Sequence, residues 1–579
     1  MKNTCKKNLV SEVFKLIDEV DVVSFDIFDT LLLRAFVHPF DVFGYLEYYF
    51  NVPDFKNLRL SAETSARLNY PEKEEVTLDE IYQFVPEKYR FIKEHEQKFE
   101  LNILKTNKQM LDVFNYAKEK GKGIIIVSDM YLPKDILKQA LEKNGFLGYD
   151  KLFVSSDIGL RKSNGKMFEY IIKYLNISPD KILHIGDNIT SDYNIPIEHG
   201  LKAFCCPYVA DLFFSENNNL RFKKIYEKFK DNVLTSLLIG MLIIKWHNKE
   251  LNSYWEKIGY SLGGIFIYAY IKFIVDNISS TPATDCLFIA RDGFTLSKVF
   301  SLFDEVKNIK NHYIFAPRFV RILGMNEGLE NDSYFNYFKN AILEHFTEYK
   351  GSLSSENNSN VFLEKNDVKQ FCSSILNEYK KYLNNVNLKG DKACIVDLGS
   401  NSASSQKLLS SLLPEKILAG FYFALNKKAS VSSFVYDETK TPLIFEEFIE
   451  FLITEPCGAA VGFNDAKPIL KELEVNDKKN NEAISLLQKG ELSFCEDIKL
   501  ILKGFEKSIP SDFIKKYMNS FFEFSTQEDY EHLKNVFWYY SPDNKSCVSF
   551  FEILKNKYNV SKKSKFDFIK KFLGKKYGN

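Results

Sequence analysis

DVVSFDIFDTLLLR, residues 21–34, opens on the β-branched Val22 and Val23, ends its first apolar run at Phe25, and then presents Asp26, Phe28, Asp29 and Thr30 before Leu31, Leu32 and Leu33. A buried parallel strand reads this way when it delivers a carboxylate to the carboxyl edge of a sheet, where open α/β folds place their ligands. Asp26 is therefore the first catalytic candidate. The plainer reading of a strand-end aspartate is a helix cap or a closed turn.

Three stretches downstream repeat the pattern of an apolar run followed by polar residues. In GKGIIIVSDMYLP, residues 121–133, the strand Ile124 to Val127 delivers Ser128 and Asp129. FVSSDIGLRKSNGKMF, residues 153–168, contributes Lys162 and Lys166. In KILHIGDNITSDYN, residues 181–194, the strand Ile182 to Ile185 delivers Gly186, Asp187 and, five residues on, Asp192.

In order and spacing, these four stretches resemble the haloacid dehalogenase superfamily of phosphatases over about the first 210 residues. The motifs of that family are an Asp nucleophile, a Ser or Thr, a Lys, and Gly-Asp-x-x-x-x-Asp. The resemblance implies a Rossmann-like core with a helical cap of the C1 type. It also implies Asp26 as nucleophile, Ser128 as donor to a phosphoryl oxygen, and Lys162 as the neutralising cation, with Lys166 facing solvent. Asp26 and Asp187 would hold Mg²⁺, and Asp192 would order the groups around it.

The chemistry explains such a set. A transferring phosphoryl group spreads negative charge over its equatorial oxygens, so catalysis is mainly positioning and charge neutralisation. A carboxylate nucleophile splits the reaction through an aspartyl-phosphate, and a hard cation with oxygen ligands suits a carboxylate meeting a dianion. One position departs from the family. Its general acid sits two residues after the nucleophile, where this chain has Phe28. Asp29, one place further, either reaches the leaving oxygen through a water or caps the turn.

With 579 residues the chain exceeds a single core, and two or three domains are expected. Lys and Arg total 77 against 77 acidic residues, so no global field draws nucleic acid. The 9 Cys show no CxxC spacing, which argues against zinc and a disulfide framework and fits a reducing cytoplasm. The basic start, MKNTCKKNLVSEVFKLIDEV, lacks the apolar stretch of a signal peptide and reads as an amphipathic helix. The uncharged runs near 233–244 and 258–271 fall short of the ~20 residues that span a bilayer and read as buried helices.

The cap is expected at about 35–115. Within it Arg59, Glu63 and Arg67 share a helix face. With Arg34, these arginines form surface ion pairs or meet the phosphate or the sugar. Residues 211–250 read as a helical linker after a 1–210 phosphatase domain. Gly259, Gly263 and Gly264 then allow close helix packing.

A second α/β domain is expected over 251–475. Strand Leu287 to Ala290 ends in Arg291, Asp292 and Gly293 before a helix, and strand Ala393 to Val396 ends in Asp397, a hydroxyl-rich loop and another helix. Such a loop at a helix N-terminus suits a phosphate. The pair resembles type I phosphoribosyltransferases. That likeness sets Arg291, Asp292 and Gly293 in the pyrophosphate loop, Asp397 as the first acid, and Ser402, Ala403, Ser404 and Ser405 around the 5-phosphate of phosphoribosyl pyrophosphate. Leu398 replaces the second acid and Ala403 the loop glycine. Arg318 and Arg321 are further pyrophosphate candidates or surface positions. Glu446, Glu447 and Glu450 offer a base for an acceptor hydroxyl or line a solvated helix face.

The whole layout looks like bacterial polysaccharide-assembly proteins that make ribofuranosyl linkages, with transfer of a phosphoribosyl group to a glycan acceptor followed by removal of its 5-phosphate. Rival expectations are a nucleotide-sugar glycosyltransferase in the second half, disfavoured by the lack of Asp-x-Asp after a strand in residues 250–470, and a non-catalytic glycan-assembly scaffold. Residues 476–579 read as helical. Their basic tail carries 9 lysines from residue 553 onward, interleaved with Phe566, Phe568 and Phe572, and either rests on the inner face of the cytoplasmic membrane or is a soluble disordered end.

Overall fold

The structure, a computed structural model, describes residues 11–317, 320–321, 365–400, 403–425, 430–439, 446–473, 475–539 and 547–549. The chain divides into two compact units, Met1–Asn252 with Asp497–Lys507, and Ser253–Glu496 with Ser508–Asn579. Each is built on a parallel sheet with helices around it. The architecture is mixed α/β with a Rossmann-like core in the first unit, a further α/β sheet in the second, and helices toward the C-terminus.

In the first unit, β1 (Val22–Phe25), β2 (Leu32–Arg34), β3 (Leu104–Thr106), β4 (Gly123–Ser128), β5 (Lys151–Val154), β6 (Ile182–Gly186) and β7 (Lys202–Cys205) follow in chain order. Five of them form a parallel sheet in the order β5-β4-β1-β6-β7. Its strands are short β-branched runs covered on both faces, as the sequence pattern requires. The chain lays β4 and β5 on one side of β1, then crosses to place β6 and β7 on the other. The strand order therefore reverses between β1 and β6, and the crevice opens there at the carboxyl ends.

β2 and β3 pair antiparallel, Leu32 opposite Thr106 and Arg34 opposite Leu104, and form the stalk of the cap. The cap itself is the helices Asp41–Phe50, Phe55–Asn69, Leu78–Gln83 and Ile92–Ile103. It ends earlier than the expected residue 115. The next helix, Lys108–Glu119, belongs to the core because Phe114 packs on Phe25, ring centroids 5.6 Å apart. Residues 211–250 are not a linker. Their long helix, Val233–His247, packs so closely at Gly240 that a Cβ there would lie 2.6 Å from the Phe36 nitrogen, and Ser236 Oγ accepts from Val37 N–H at 3.0 Å. The segment Asp497–Lys507 also joins this unit: Phe505 is buried against Phe99, and Tyr45 donates to its carbonyl at 2.9 Å.

The second unit carries β8 (Asp285–Ile289), β9 (Lys310–Ile314), β10 (Ala393–Ser400), β11 (Ile417–Leu425) and β12 (Ser433–Val435) in the parallel order β12-β11-β10-β8-β9. Counted along the chain this is 2-1-3-4-5, a doubly wound order whose reversal falls between the first and third strands, here β8 and β10. The helical expectation for 476–579 fails at its far end, where Phe537–Tyr539 and Cys547–Ser549 pair as antiparallel strands. Arg318, Ser402 and the basic tail from residue 550 lie outside the described residues.

The apolar run expected to be too short for a membrane continues as one helix, Tyr254–Ile278, of 25 residues with a π turn at Gly259–Gly263, because Glu256, Lys257 and Lys272 interrupt its composition without ending the helix. It is long and apolar enough to cross a bilayer, yet 94% of its most apolar window is buried within the protein. Where it passes Gly263, the Glu491 side chain fills the space a Cβ would occupy. Glu491 is fully buried and neither carboxyl oxygen has a hydrogen-bond partner among the described residues. Burial pushes its pKa well above 4.5. A raised carboxyl contributes stability that is complete below its unfolded pKa and lost as pH rises toward the folded value. Glu491→Gln is therefore expected to lose less of its urea midpoint than the parent chain as pH rises from 5 to 8, and equal losses in the two proteins would contradict this assignment.

Candidate active site in the first crevice

β1 ends at Phe25, and Asp26 follows with its N–H bonded to the Ile185 carbonyl at 2.9 Å, which ties the two strands together where the order reverses. Lys162, from the loop after β5, reaches the same point. Its Nζ donates to Asp26 Oδ1 at 2.6 Å and to Asp192 Oδ1 at 2.7 Å, and all three side chains are buried. Asp192 sits in a π turn, Ile189–Asn194, closed by its own contacts: Asn188 N–H donates to Asp192 Oδ2 at 3.1 Å. Gly186 makes room for it, since a Cβ there would lie 2.5 Å from the Asp192 carboxylate.

Asp187 completes the group. One carboxylate oxygen from each of Asp26, Asp187 and Asp192 lies within 4.8 Å of the others. Burial pushes the Asp26 carboxyl well up, against the pull of Lys162 and helped by the neighbouring acids. Asp187 is pushed up to about 7 by burial, Asp29 and Asp192. Asp192 goes the other way. Burial opposes its charge, but Lys162 and His184 hold it well below the carboxylate range. Lys162 likewise keeps its proton because Asp192 and Asp26 outweigh its burial.

Three carboxyl groups share one ammonium in a buried crevice, and among the described residues no cation pairs with Asp187. The donors are all oxygen, and Ser128, buried at the end of β4, has no partner for its Oγ among the described residues. These residues fit a hard divalent cation of the Mg²⁺ type, held by Asp26 and Asp187, with the Ser128 hydroxyl left to donate to an anion.

Lys166 lies exposed and pairs with Glu74. Asp29 adopts a left-handed backbone, φ 55°, and its carboxylate lies 3.6 Å from Arg34. Burial raises its pKa while Arg34 lowers it. Of the cap arginines, Arg59 is neither at the surface nor at the crevice. It is fully buried and bonds Glu96 at 3.0 and 2.9 Å, with Tyr82 donating to the same carboxylate at 2.7 Å. Arg67 pairs with Glu63 and Glu75.

Two further residues support the site, Asp129, which the sequence places after Ser128 without a role, and His184, which it does not single out. Asp129 accepts from the Lys162 backbone N–H at 2.9 and 3.0 Å and so fixes the loop that carries the lysine. His184 sits inside an apolar strand, bonded to Ser24 Oγ at 2.7 Å and facing Asp192 Oδ1 at 3.3 Å. The spacing of Asp129 directly after Ser128 was a usable signal; His184 gave none.

A second cluster stands at the reversal point of the other sheet. Asp397 lies within β10 rather than after it, because pairing with β11 continues to Ser400. Its Oδ2 accepts from Ser405 Oγ at 2.9 Å, and Arg321 donates to that Oγ at 3.1 Å. Asp292 is pushed up to about 6 by burial and by Asp397, against Arg291 and Arg321. Gly293 opens the helix Gly293–Phe300, where a Cβ would lie 2.8 Å from Phe288. Arg291 turns toward the Cys457 carbonyl at 3.5 Å. Ser404 is the first residue of the helix Ser404–Leu412 and is half-buried.

The family model for haloacid dehalogenase-like hydrolases matches residues 20–195. These residues are a haloacid dehalogenase-like hydrolase domain, and the β1–β6 crevice lies within it. Among solved structures, the chain is similar to an L-2-haloacid dehalogenase from Xanthobacter autotrophicus with chloropropionic acid covalently bound, at 11% identity, 38% of this chain, 87% of that one and a TM-score of 0.27. It is similar also to a haloacid dehalogenase family enzyme from Bacteroides thetaiotaomicron in complex with magnesium and inorganic phosphate, at 13% identity, 33% of this chain, 95% of that one and a TM-score of 0.25. No curated protein matched the chain.

Isothermal titration with Mg²⁺ tests the fit of the acid cluster. Asp187→Asn is expected to weaken binding on the order of 10–100-fold, as loss of a group supporting a metal does. Equal affinity in the two proteins would place the cation elsewhere.

Proposed function

We propose that the chain is a two-activity enzyme of surface-polysaccharide assembly. The first unit is a Mg²⁺-dependent phosphatase, and the second transfers a 5-phosphoribosyl group from phosphoribosyl pyrophosphate to a glycan acceptor. The observation that carries the phosphatase reading is the single buried ammonium shared by Asp26 and Asp192 beside an uncompensated Asp187.

In this reading an Asp26 oxygen bonds to phosphorus as the ester P–O bond breaks, and Asp29 supplies the proton that the departing alcohol takes up. Lys162 and Ser128 hold the phosphoryl oxygens while the bond shifts. Water then attacks phosphorus, gives its proton to Asp29, and releases phosphate and the free carboxylate. The metal, when bound by Asp26 and Asp187, supplies charge neutralisation for the phosphoryl oxygens. Burial of Asp29, which favours its protonated form, suits it to the acid's task.

The transferase reading is supported by the Arg321, Ser405 and Asp397 chain of contacts beside the Arg291-Asp292-Gly293 turn. Two basic and two acidic side chains at the reversal point of a doubly wound sheet suit a phosphorylated sugar, the cations facing its phosphates and the carboxylates its hydroxyls. Arg318 and Ser402 keep their expected roles within the proposal. So does peripheral attachment of the basic tail to the inner face of the cytoplasmic membrane.

Two variants separate the activities. Asp26→Asn is expected to abolish phosphate release from a ribose 5-phosphate end while leaving pentosyl transfer in place, followed by mass spectrometry of the glycan product. Asp397→Asn is expected to weaken binding of phosphoribosyl pyrophosphate, read by calorimetry, by about tenfold or more, the worth of a charged hydrogen bond. Loss of transfer in the first variant, or unchanged affinity in the second, contradicts the division of labour.

A further inference from the structure

In the second unit a cavity of about 180 Å³ opens beside the Arg291 turn. Arg291, Glu455, Lys471 and Asn481 bring polar groups to its wall, and Phe451 and Ile484 bring apolar surface. At about 30 Å³ for each water molecule, a space of this size suits one small ring and not a longer chain. The segment 455–458 is tied to the turn, since Glu455 N–H donates to the Arg291 carbonyl at 3.2 Å and Arg291 Nη1 donates to the Cys457 carbonyl at 3.5 Å. The next residue, Asp292, feels Asp397 and Arg321, so Arg291 stands between the cavity and the reversal point of the sheet.

Glu455 is the acid that its neighbours fix in this wall. Its Oε2 accepts from the Tyr313 hydroxyl at 2.7 Å and from the Cys457 thiol at 2.9 Å, while its Oε1 accepts from none of the described residues. Burial and Glu455 push the Cys457 thiol up to about 12, so the thiol keeps its proton and remains a donor. One carboxylate oxygen is held and the other is left to meet a ligand. A hydroxyl suits it, because a hydroxyl donates to a carboxylate, whereas a phosphate dianion only accepts. Asn481 supplies a second open group, since its Nδ2 is buried with no hydrogen-bond partner among the described residues. Glu450, which the sequence offers as a base, also lines the cavity but is exposed.

We propose that this cavity seats the single sugar residue that accepts the pentosyl group, and that Glu455 is the catalytic base for its hydroxyl. The inference rests on the transferase reading above and adds to it the place of the acceptor and the group that takes its proton. The acceptor oxygen bonds to C1 of the phosphoribosyl group as the C1–O bond to pyrophosphate breaks. Pyrophosphate leaves with the electron pair of that bond, and the hydroxyl proton passes to Glu455 Oε1. Arg291, which borders both spaces, faces the departing pyrophosphate, and Asn481 donates to another hydroxyl of the acceptor ring.

The test incubates the full chain with phosphoribosyl pyrophosphate and either 4-nitrophenyl β-D-galactopyranoside or 4-nitrophenyl N-acetyl-β-D-glucosaminide, and follows the pentosylated glycoside by mass spectrometry. Glu455→Gln retains an oxygen for Tyr313 and Cys457 but loses the base. It is expected to lower kcat for transfer at least about 100-fold, the worth of a general base, and to leave the affinity for phosphoribosyl pyrophosphate, read by calorimetry, unchanged. Asn481→Leu is expected to raise KM for the glycoside by about tenfold, the worth of one hydrogen bond, with thermal melting as the check on its fold. Transfer by Glu455→Gln at the parent rate, or a loss of donor affinity equal to its loss of transfer, would overturn the inference and leave the transferase reading standing. A parent chain that binds phosphoribosyl pyrophosphate but pentosylates neither glycoside would overturn the sugar ring as the occupant. If the parent chain does not bind phosphoribosyl pyrophosphate, the transferase reading fails and the inference fails with it.

Discussion

A lysine ammonium held between two carboxylates at the bottom of a crevice is the interaction on which the first unit depends. Lys162 meets Asp26 and Asp192 at 2.6 and 2.7 Å, and each of the three comes from a different loop at the carboxyl edge of one sheet. Buried charges survive only when paired and hydrogen-bonded, so the contact fixes the relative positions of the loops after β1, β5 and β6. Asp129 grips the backbone of the lysine loop, and Asn188 and His184 grip Asp192. The result is a rigid, oxygen-lined site whose charge is incomplete.

Both units use the same topological device. In each the strand order reverses beside the first strand, β1 against β6 and β8 against β10, and in each the acids of interest flank that reversal. The connections that leave the two paired strands run to opposite sides there, which leaves a crevice that side chains and ligands fill. The two gaps differ in chemistry. The first joins three carboxylates to one lysine, whereas the second sets Asp292 and Asp397 against Arg291 and Arg321. That contrast separates a site rich in carboxyl groups from one in which acids and arginines balance.

The strands β1, β4, β6, β8 and β10 and the convergence of Asp26, Lys162, Asp187 and Asp192 were legible in the sequence, because an apolar run that ends in an acid or a hydroxyl leaves a local mark. What the chain does over long separations leaves none. His184 is hidden in an apolar strand, Arg321 meets Ser405 across 84 positions, and the 497–507 segment that packs on the cap reads as ordinary helix and loop. The 211–250 helices looked like a linker because their apolar residues gave no sign of what they cover, and Gly240 against Phe36 supplies the answer. The cap arginines show a further limit. Arg34 and Arg59 look alike in sequence, yet one is saturated by Glu96 and the other keeps an idle donor.

The claim at the centre of this account is that Asp26 receives the phosphoryl group. An aspartyl-phosphate is reduced by borohydride to homoserine, so the full chain, quenched in acid during turnover of a sugar phosphate and then reduced, reports the acceptor directly by peptide mass spectrometry. Homoserine at position 26 is the expected result. Homoserine at another acid, or none during sustained release of phosphate, would contradict the account.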